Sequence, residues 1–383
     1  MRRIYLDYNA TTPIAPSVAE AMQPFVTEHF GNPSSDHVPG RVAKHAVEEA
    51  RGQVANLFGA DAEEIVFTGS GSESINLAFK GVCFHPDRWN SLVHEQRGHL
   101  VISAIEHPAT SAPANFLERI GFDVSVAKCD AQGVVSAAEI KSLIRDDTVL
   151  VSIMHANNKT GVIQPIAGIS AVCREKNILL HTDAAQSVGK IPARVDDLGV
   201  DLMSIAGHKL YAPKGVGALY VRRGVDLESL IHGADHEFGL RAGTENVPYV
   251  VGLGKAAGLA AKGDEANKSR LCELRDRLQL RLAKEIEGLT VNGSLVERLP
   301  NTLSVNFPKA SGHEILARIP ELCASTGAAC HSGEAALSAT LRAMGLSADT
   351  AQGTIRLSVG WPTSIEEVDK AGELLVESWR ALT

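Results

Sequence analysis

Five apolar runs in this 383-residue chain end on residues able to do chemistry. EIVFT (64–68) leads into GSGSES (69–74). Glycines and serines at a helix start offer free N–H groups and hydroxyls, a cradle for phosphate; a plain N-cap by Ser70 or Ser72 accounts for them equally. HLVISAIE (99–106) leads into His107 and Pro108. That histidine is either a capping or core residue, or an imidazole offered to a ligand as a stacking face or proton shuttle. TVLVSIMHA (148–156) leads into Asn157, Asn158, Lys159, Thr160 and Gly161, a turn by composition or an amide aimed at a polar ligand. ILLHT (178–182) leads into Asp183, with Gln186 close behind. An acid at the end of an apolar strand is costly to bury without a partner, and a cationic ring nitrogen is one such partner. DLMSIA (201–206) leads into Gly207, His208 and Lys209. The lysine is a solvated charge or, with a lowered pKa, a Schiff-base former.

The elements that must position these residues follow from the same pattern. The five runs, with FDVSVAKC (122–129) and GVGALYVRR (215–223), predict seven strands. Several are apolar nearly throughout, as in a sheet covered on both faces. Helical patterns alternate with them, near 73–81 and 166–176. An α/β fold with a mostly parallel seven-stranded sheet is expected, and such sheets bind ligands beyond the carboxyl ends of their strands. From about residue 260 the character changes: 267–289 reads as a long amphipathic helix, and LPNTLSVNFP and GTIRLSVGW alternate like antiparallel strands with one solvated face. The expected division is a large domain over 15–260 and a smaller α+β domain made of 1–14 and 261–383. Residues 83–98 read as a polar surface loop. Gathered at one sheet edge, a phosphate cradle, a histidine, an asparagine, an aspartate and a lysine fit a single ligand, pyridoxal 5'-phosphate.

YLDYNATTP (5–13), GNPSS (31–35), EHPA (106–109), TDAAQSVGK (182–190), GHKLYAPKG (207–215), RAGTEN (241–246) and STGAACHSG (325–333) resemble motifs of the class V aminotransferases. They occur in the family's order over nearly the whole chain. The resemblance is strongest to the cysteine desulfurases of the NifS/IscS type, and extends to the selenocysteine lyases. It implies a fold-type I homodimer in which Lys209 binds pyridoxal phosphate, Asp183 pairs with the ring nitrogen and His107 stacks on the ring. Asn158 and Gln186 would face the phenolic oxygen. Gly71, Ser72 and His208 would hold the phosphate, with Thr244 reaching over from the other subunit. Arg356 would clamp the carboxylate of the substrate, L-cysteine or L-selenocysteine. Cys330, in a small-residue stretch that reads as a mobile loop, would take the sulfur as a thiolate and carry it as a persulfide to an acceptor protein. Iron-sulfur cluster assembly, tRNA thiolation and DNA modification are the destinations such enzymes serve.

The chain departs from this pattern at several points. Ala206 stands where these desulfurases commonly have a phosphate-binding serine; selenocysteine lyases also tend to be apolar there. Lys159 replaces a glutamate, Gly233-Ala234-Asp235 a run of three glycines, Phe238 an arginine, and Trp361 another arginine. An aminotransferase, epimerase or β-lyase of the same fold, with Cys330 incidental, is the alternative within the fold; a binding protein without catalysis is the alternative outside it.

Composition narrows the partners. A net charge of -8 argues against general nucleic-acid binding, and no window approaches eighteen uninterrupted apolar residues, so no membrane span is expected. MRRIYLDYNATTP lacks the apolar run of an export signal. The six cysteines include no CxxC pair and do not look like a disulfide framework or a zinc set; Cys323 reads as core. A reducing cytoplasmic compartment is expected.

Overall fold

The computed structural model describes residues 3–86, 98–263, 265–293, 295–331 and 334–383, with the backbone alone at 265, 328–331 and 334–337. The chain opens with β1 (Ile4–Tyr5), α1 (Pro16–Thr27) and α2 (Val38–Phe58). Strands and helices then alternate: β2 (Ile65–Thr68), α3 (Gly71–Phe84), β3 (His99–Ser103), α4 (Pro108–Arg119), β4 (Asp123–Ala127), α5 (Ala137–Leu143), β5 (Thr148–Ser152), α6 (Ile166–Glu175), β6 (Leu179–Asp183), β7 (Leu202–Ala206) and β8 (Gly217–Val221). The seven strands β2 to β8 form one sheet in the order β2-β8-β7-β6-β5-β3-β4. All are parallel except β8, which runs against both its neighbours. The expected mostly parallel sheet is therefore present. β2, β3, β7 and β8 are buried along their whole length, as apolar runs covered by helices on both faces should be, whereas the edge strand β4 is half open.

The strands are shorter than the apolar runs that announce them. β3 stops at Ser103, where the chain turns, and His107 sits beyond that turn as the N-cap of α4; β5 stops at Ser152, although Ile153 N and His155 N still bond to His181 O (3.1 Å) and Asp183 O (2.9 Å) of β6. α3 starts two residues earlier than the pattern suggests, at Gly71, with Ser70 Oγ accepting from Glu73 N at 3.1 Å. Cys83 and Phe84, expected in a loop, are the last residues of that helix; residues 87–97 of the expected loop lie outside the described residues.

A second core begins after α7 (Val247–Ala261). It contains α8 (Glu265–Glu285), β9 (Thr290–Val291), β10 (Thr302–Asn306), β11 (Leu322–Cys323), β12 (Ser325–Thr326), β15 (Thr354–Ser358) and α9 (Ile365–Arg380). Ile4 and Leu6 pack in it with Leu278, Leu282, Leu303 and Leu357, and β1 pairs parallel with β11. Between β12 and β15 the chain forms an antiparallel hairpin of β13 (Ala328–His331) and β14 (Glu334–Leu337). The alternation of β10 and β15 predicts one solvated face. Instead both are buried throughout, because their polar residues turn toward other polar groups: Thr302 Oγ1 accepts from Asn9 Nδ2 (2.9 Å), Ser304 Oγ from Asn292 Nδ2 (2.9 Å), and Ser358 Oγ from Asn9 N (2.9 Å).

One buried ion pair braces the region feeding the α3 N-terminus. Arg51 of α2 donates to both oxygens of Glu237 (2.7 and 2.9 Å) and to Ile65 O (2.8 Å). Glu237 Oε2 also accepts from Phe67 N of β2 (2.7 Å). The guanidinium lies between the rings of Phe67 and Phe238, 4.8 and 5.0 Å from their centroids, so the phenylalanine that replaces the family's arginine serves as a cation-π face. Glu237 and Phe238 sit at φ 48 and 60, a left-handed pair that this clamp must hold against its cost. Arg51→Met leaves Glu237 buried without a counter-charge and lowers unfolding free energy by about 3–5 kcal/mol, measurable by urea denaturation; a loss below about 1 kcal/mol would mean that the pair does not brace the fold.

Candidate active site

The carboxyl ends of β3, β5, β6 and β7 open on one edge of the large sheet, and the N-terminal segment after β1 crosses it. Asp183 is the last residue of β6 and is buried; its Oδ1 accepts from Ala185 N (2.9 Å). Burial raises its pKa, while the Ala185 N–H, His107 and Lys209 pull the other way. Lys209 ends a single 3-10 turn, Gly207–Lys209, directly after β7. A side chain at Gly207 would come within 2.8 Å of Val216 Cγ1 and 3.0 Å of Val216 O, so the tight exit from β7 requires glycine there. Lys209 Nζ donates to two backbone carbonyls, Asn9 O (2.5 Å) and Ala10 O (2.8 Å). Burial and the Arg356 charge push its pKa down to about 8, against the pull of Asp183 and Asp7.

The two histidines are held neutral. His107 Nδ1 accepts from Ala109 N (3.1 Å), which fixes the ring as the cap of α4. The surrounding protein and the charges of Lys209 and Lys159 depress its pKa, with Asp183 opposing. His208 Nδ1 lies 3.1 Å from Thr11 Oγ1; burial, Lys209, Lys214 and His107 push its pKa down to about 4. Gln186 is buried and donates from Nε2 to Asn9 O (2.9 Å). Asn157, not Asn158, makes the turn after β5: its Oδ1 accepts from Lys159 N (2.8 Å) and Thr160 N (3.0 Å), while Asn158 is half-buried and its carbonyl accepts from Arg356 (2.9 Å).

Arg356 enters from the second core on β15 and is buried. It donates to Asp7 Oδ1 (2.6 Å), Ser325 Oγ (2.9 Å) and Asn158 O (2.9 Å), and among the described residues its Nε has no partner. Lys159 lies close by: burial and Arg356 lower its pKa, and Asp7 raises it. The charge reversal at this position therefore adds a cation beside Arg356. Ala206, at the end of β7, packs toward α3: a Cβ on Gly71 would lie 3.0 Å from its methyl. Trp361 stacks on Tyr211 at 3.9 Å and 11°, with its backbone N–H donating to the Tyr211 hydroxyl (2.9 Å).

His107, Asp183, Gln186, His208, Lys209 and Arg356 are thus brought together. Gly71 and the exposed Ser72 open α3 beside Ala206. Thr244 is exposed, and none of the described contacts ties it to the others. Cys330 lies in β13, where a loop is expected; its side chain lies outside the described residues. Cys323, expected in the core, is half-buried in β11. Reading by residue type misses the backbone of Asn9 and Ala10, since a carbonyl has no signature in a side-chain search. It also passes over Glu106, buried and pushed up to about 8, which accepts from Ser103 Oγ (2.5 Å) and Met154 N (2.9 Å). EHPA contained that signal.

Lowering the Lys209 pKa to about 8 has a direct readout. At pH 7.5 about a quarter of such an amine is neutral, against about one part in a thousand for an ordinary lysine. Reductive methylation of the free chain with formaldehyde, followed by peptide mass spectrometry, should modify Lys209 well ahead of surface lysines. Its rate should climb through pH 8 and level off above it. A rate still climbing at pH 10 would show an unperturbed amine.

A family profile described as Aminotransferase class-V matches residues 4–371. A curated relative named cysteine desulfurase IscS, from Anaeromyxobacter sp. (strain K), is 46% identical over 383 aligned positions, covering 99% of this chain and 93% of its own length. Among solved structures, one titled NifS-like protein superposes with a TM-score of 0.90 at 37% identity, covering 99% of this chain and all of its own. Another, titled SspA in complex with cysteine, superposes with a TM-score of 0.81 at 38% identity, covering 93% of this chain and 98% of its own. With the lysine, aspartate and histidine at the sheet edge and the match spanning both cores, the chain belongs to the class V aminotransferase family.

Proposed function

We propose that this chain is a pyridoxal-phosphate-dependent cysteine desulfurase that turns L-cysteine into L-alanine and a persulfide on Cys330. One observation carries the reading: Lys209, Asp183 and His107 converge at one sheet edge, with Arg356 set close enough to depress the lysine. The relatives named IscS and the solved neighbour that holds cysteine support the choice of substrate.

The family works with pyridoxal phosphate, and the residues here fit that group. Asp183 is a buried carboxylate lacking a hydrogen-bonded cation among the described residues, a vacancy that suits a protonated ring nitrogen. Lys209 is an amine that, among the described residues, donates to two carbonyl oxygens. α3 presents its N-terminal N–H groups where Gly71 and Ala206 leave room for backbone approach alone. When bound, the group supplies an electron sink for bond breaking at the substrate carbon.

Gly71, Ser72 and His208 would hold the phosphate, and Thr244 of a second copy would complete the cradle in a homodimer. Ala206 contributes no hydroxyl to it, a loss of about 1.5–3 kcal/mol where water does not substitute. Asn158 and Gln186 would face the phenolic oxygen, and His107 would stack on the ring. Arg356 would bind the substrate carboxylate. Lys209, its proton affinity lowered, would take the proton from the α-carbon. His107, neutral and beside Asp183, moves a proton at the departing sulfur. The Cys330 thiolate attacks that sulfur: the S–S bond forms, the C–S bond breaks, its electron pair stays on the substrate carbon, and a proton completes alanine.

An acceptor protein then takes the persulfide sulfur, for iron-sulfur assembly, tRNA thiolation or DNA modification, in the cytoplasm. Among the described residues no helix is long and apolar enough to cross a membrane. Alanine release from L-cysteine and from L-selenocysteine, with reductant, separates the readings. Wild type should release alanine from L-cysteine, Cys330→Ala should lose that activity, and Lys209→Ala should lose both by at least about a hundredfold. Arg356→Lys should raise KM for cysteine about tenfold or more, with the smaller change in kcat. Full cysteine activity in Cys330→Ala would leave a lyase or transaminase as the reading.

A further inference from the structure

Lys190 ends the turn 185–190 that follows β6 and takes no part in the mechanism above. Its ammonium donates to Gln186 O (2.9 Å) and Gln186 Oε1 (3.3 Å). The other end of that amide, Nε2, donates to Asn9 O (2.9 Å), the carbonyl that also receives Lys209 Nζ (2.5 Å). An ammonium can only donate and a peptide carbonyl can only accept. The two partners therefore assign the amide without ambiguity: oxygen toward Lys190, NH2 toward Asn9. Only one of the two N–H bonds on Nε2 goes to Asn9.

We propose that Lys190 is a positioning residue, which locks the Gln186 amide so that an N–H rather than the carbonyl is turned to the cofactor's phenolic oxygen. This rests on the reading that Gln186 faces that oxygen. The placement of Lys190 is otherwise hard to justify. It is half-buried at the edge of a cavity, near two other cations, Lys209 and Arg356, and loss of hydration together with those charges pushes its pKa down to about 7. A lysine in such surroundings is costly, and its hydrogen-bond acceptors among the described residues both belong to Gln186. A methionine would fill the space and remove the cost, but would leave nothing to hold Oε1. Asn9 O would then hold the amide alone, through Nε2, and nothing would keep the second N–H in line with the phenolic oxygen.

The test uses the full-length protein loaded with pyridoxal phosphate, as wild type, K190M, K190R, Q186A and the double variant Q186A/K190M. Two quantities are read: the pH midpoint at which the near-visible band of the bound cofactor changes, and the cofactor Kd from titration of the stripped protein. An N–H donor to the phenolic oxygen stabilises the form in which that oxygen carries more negative charge, the deprotonated lysine–cofactor linkage. Losing it raises the midpoint, by about one pH unit for a hydrogen bond to a charged group, and weakens the cofactor about tenfold. K190M should show both shifts, K190R neither, and Q186A the same shifts as K190M. The double variant should match Q186A, because a residue that acts through Gln186 has nothing left to act on. A merely structural role would lower Tm without moving the midpoint, or would add its full effect in the Q186A background; either result overturns the proposal. Lys190 borders an open cavity of about 590 Å³ rather than the sealed core, so K190M is expected to fold. Should it not, K190R with a shifted midpoint or a tenfold weaker cofactor would overturn the proposal, and K190R at wild-type values beside a shifted Q186A would support it. A wild type with no band, or a band that survives Lys209→Ala, would instead overturn the cofactor reading, and the role of Lys190 with it.

Discussion

The carbonyl of Asn9 is the point on which the site depends. It accepts from both the amine of Lys209 and the amide of Gln186, two side chains from different strand ends of the large sheet. The same residue is anchored in the second core: its N–H donates to Ser358, its Nδ2 to Thr302, and its Oδ1 accepts from Asn301. A single buried residue therefore fixes the distance between the lysine and the core that carries Arg356. The remaining fold can be read as what keeps that segment taut. Tyr5 donates its hydroxyl to Thr11 O, Thr12 N bonds His208 O, and Tyr211 N bonds Thr12 Oγ1.

Electrostatics around that point is lopsided. Lys209, Lys190, Lys159 and Arg356 crowd one region that holds two carboxylates, Asp183 and Asp7. Each cation lowers its neighbours' affinity for a proton, and burial does the rest. The protein meets this excess by giving Lys209 and Lys190 backbone carbonyls, which accept without adding charge. The arrangement keeps the proton affinity of the Lys209 amine low, with carbonyls rather than carboxylates as its hydrogen-bond partners among the described residues.

Much of this was legible in the sequence, and what was not has physical causes. The apolar runs around Val66, Leu100, Leu150, Leu180, Met203 and Leu219 are all strands of one sheet, because fully buried strands write their burial into composition. Asp183 and Lys209 stood out because each follows such a run with a charge. The extent of the strands was overread: Ile105 continues the apolar run while the backbone has already turned, and Ile153 continues it beyond the end of β5. The burial of Ser304 and Arg356 was missed because alternation signals a polar face without saying whether water or protein covers it. The part played by Asn9 and Ala10 was invisible, since it is performed by peptide groups that every residue has. Lys190 closed a quoted motif, yet only its distance to Gln186 gives it a task.

The pairing of β1 with β11 has a consequence for how such a chain comes into being. Ile4 and Leu322 are neighbours, so the first strand made waits for one of the last to be synthesised. On the ribosome, the large sheet, complete once Val221 has emerged, can gather Asp183 and Lys209 early. Asn9 then still lacks Thr302 and Ser358, and no guanidinium has arrived at position 356. A nascent chain thus passes through a stage in which the large sheet and its strand ends have formed while the core that anchors Asn9 is still missing. The surroundings of Lys209 are completed only when the carboxyl-terminal core closes over the amino-terminal segment.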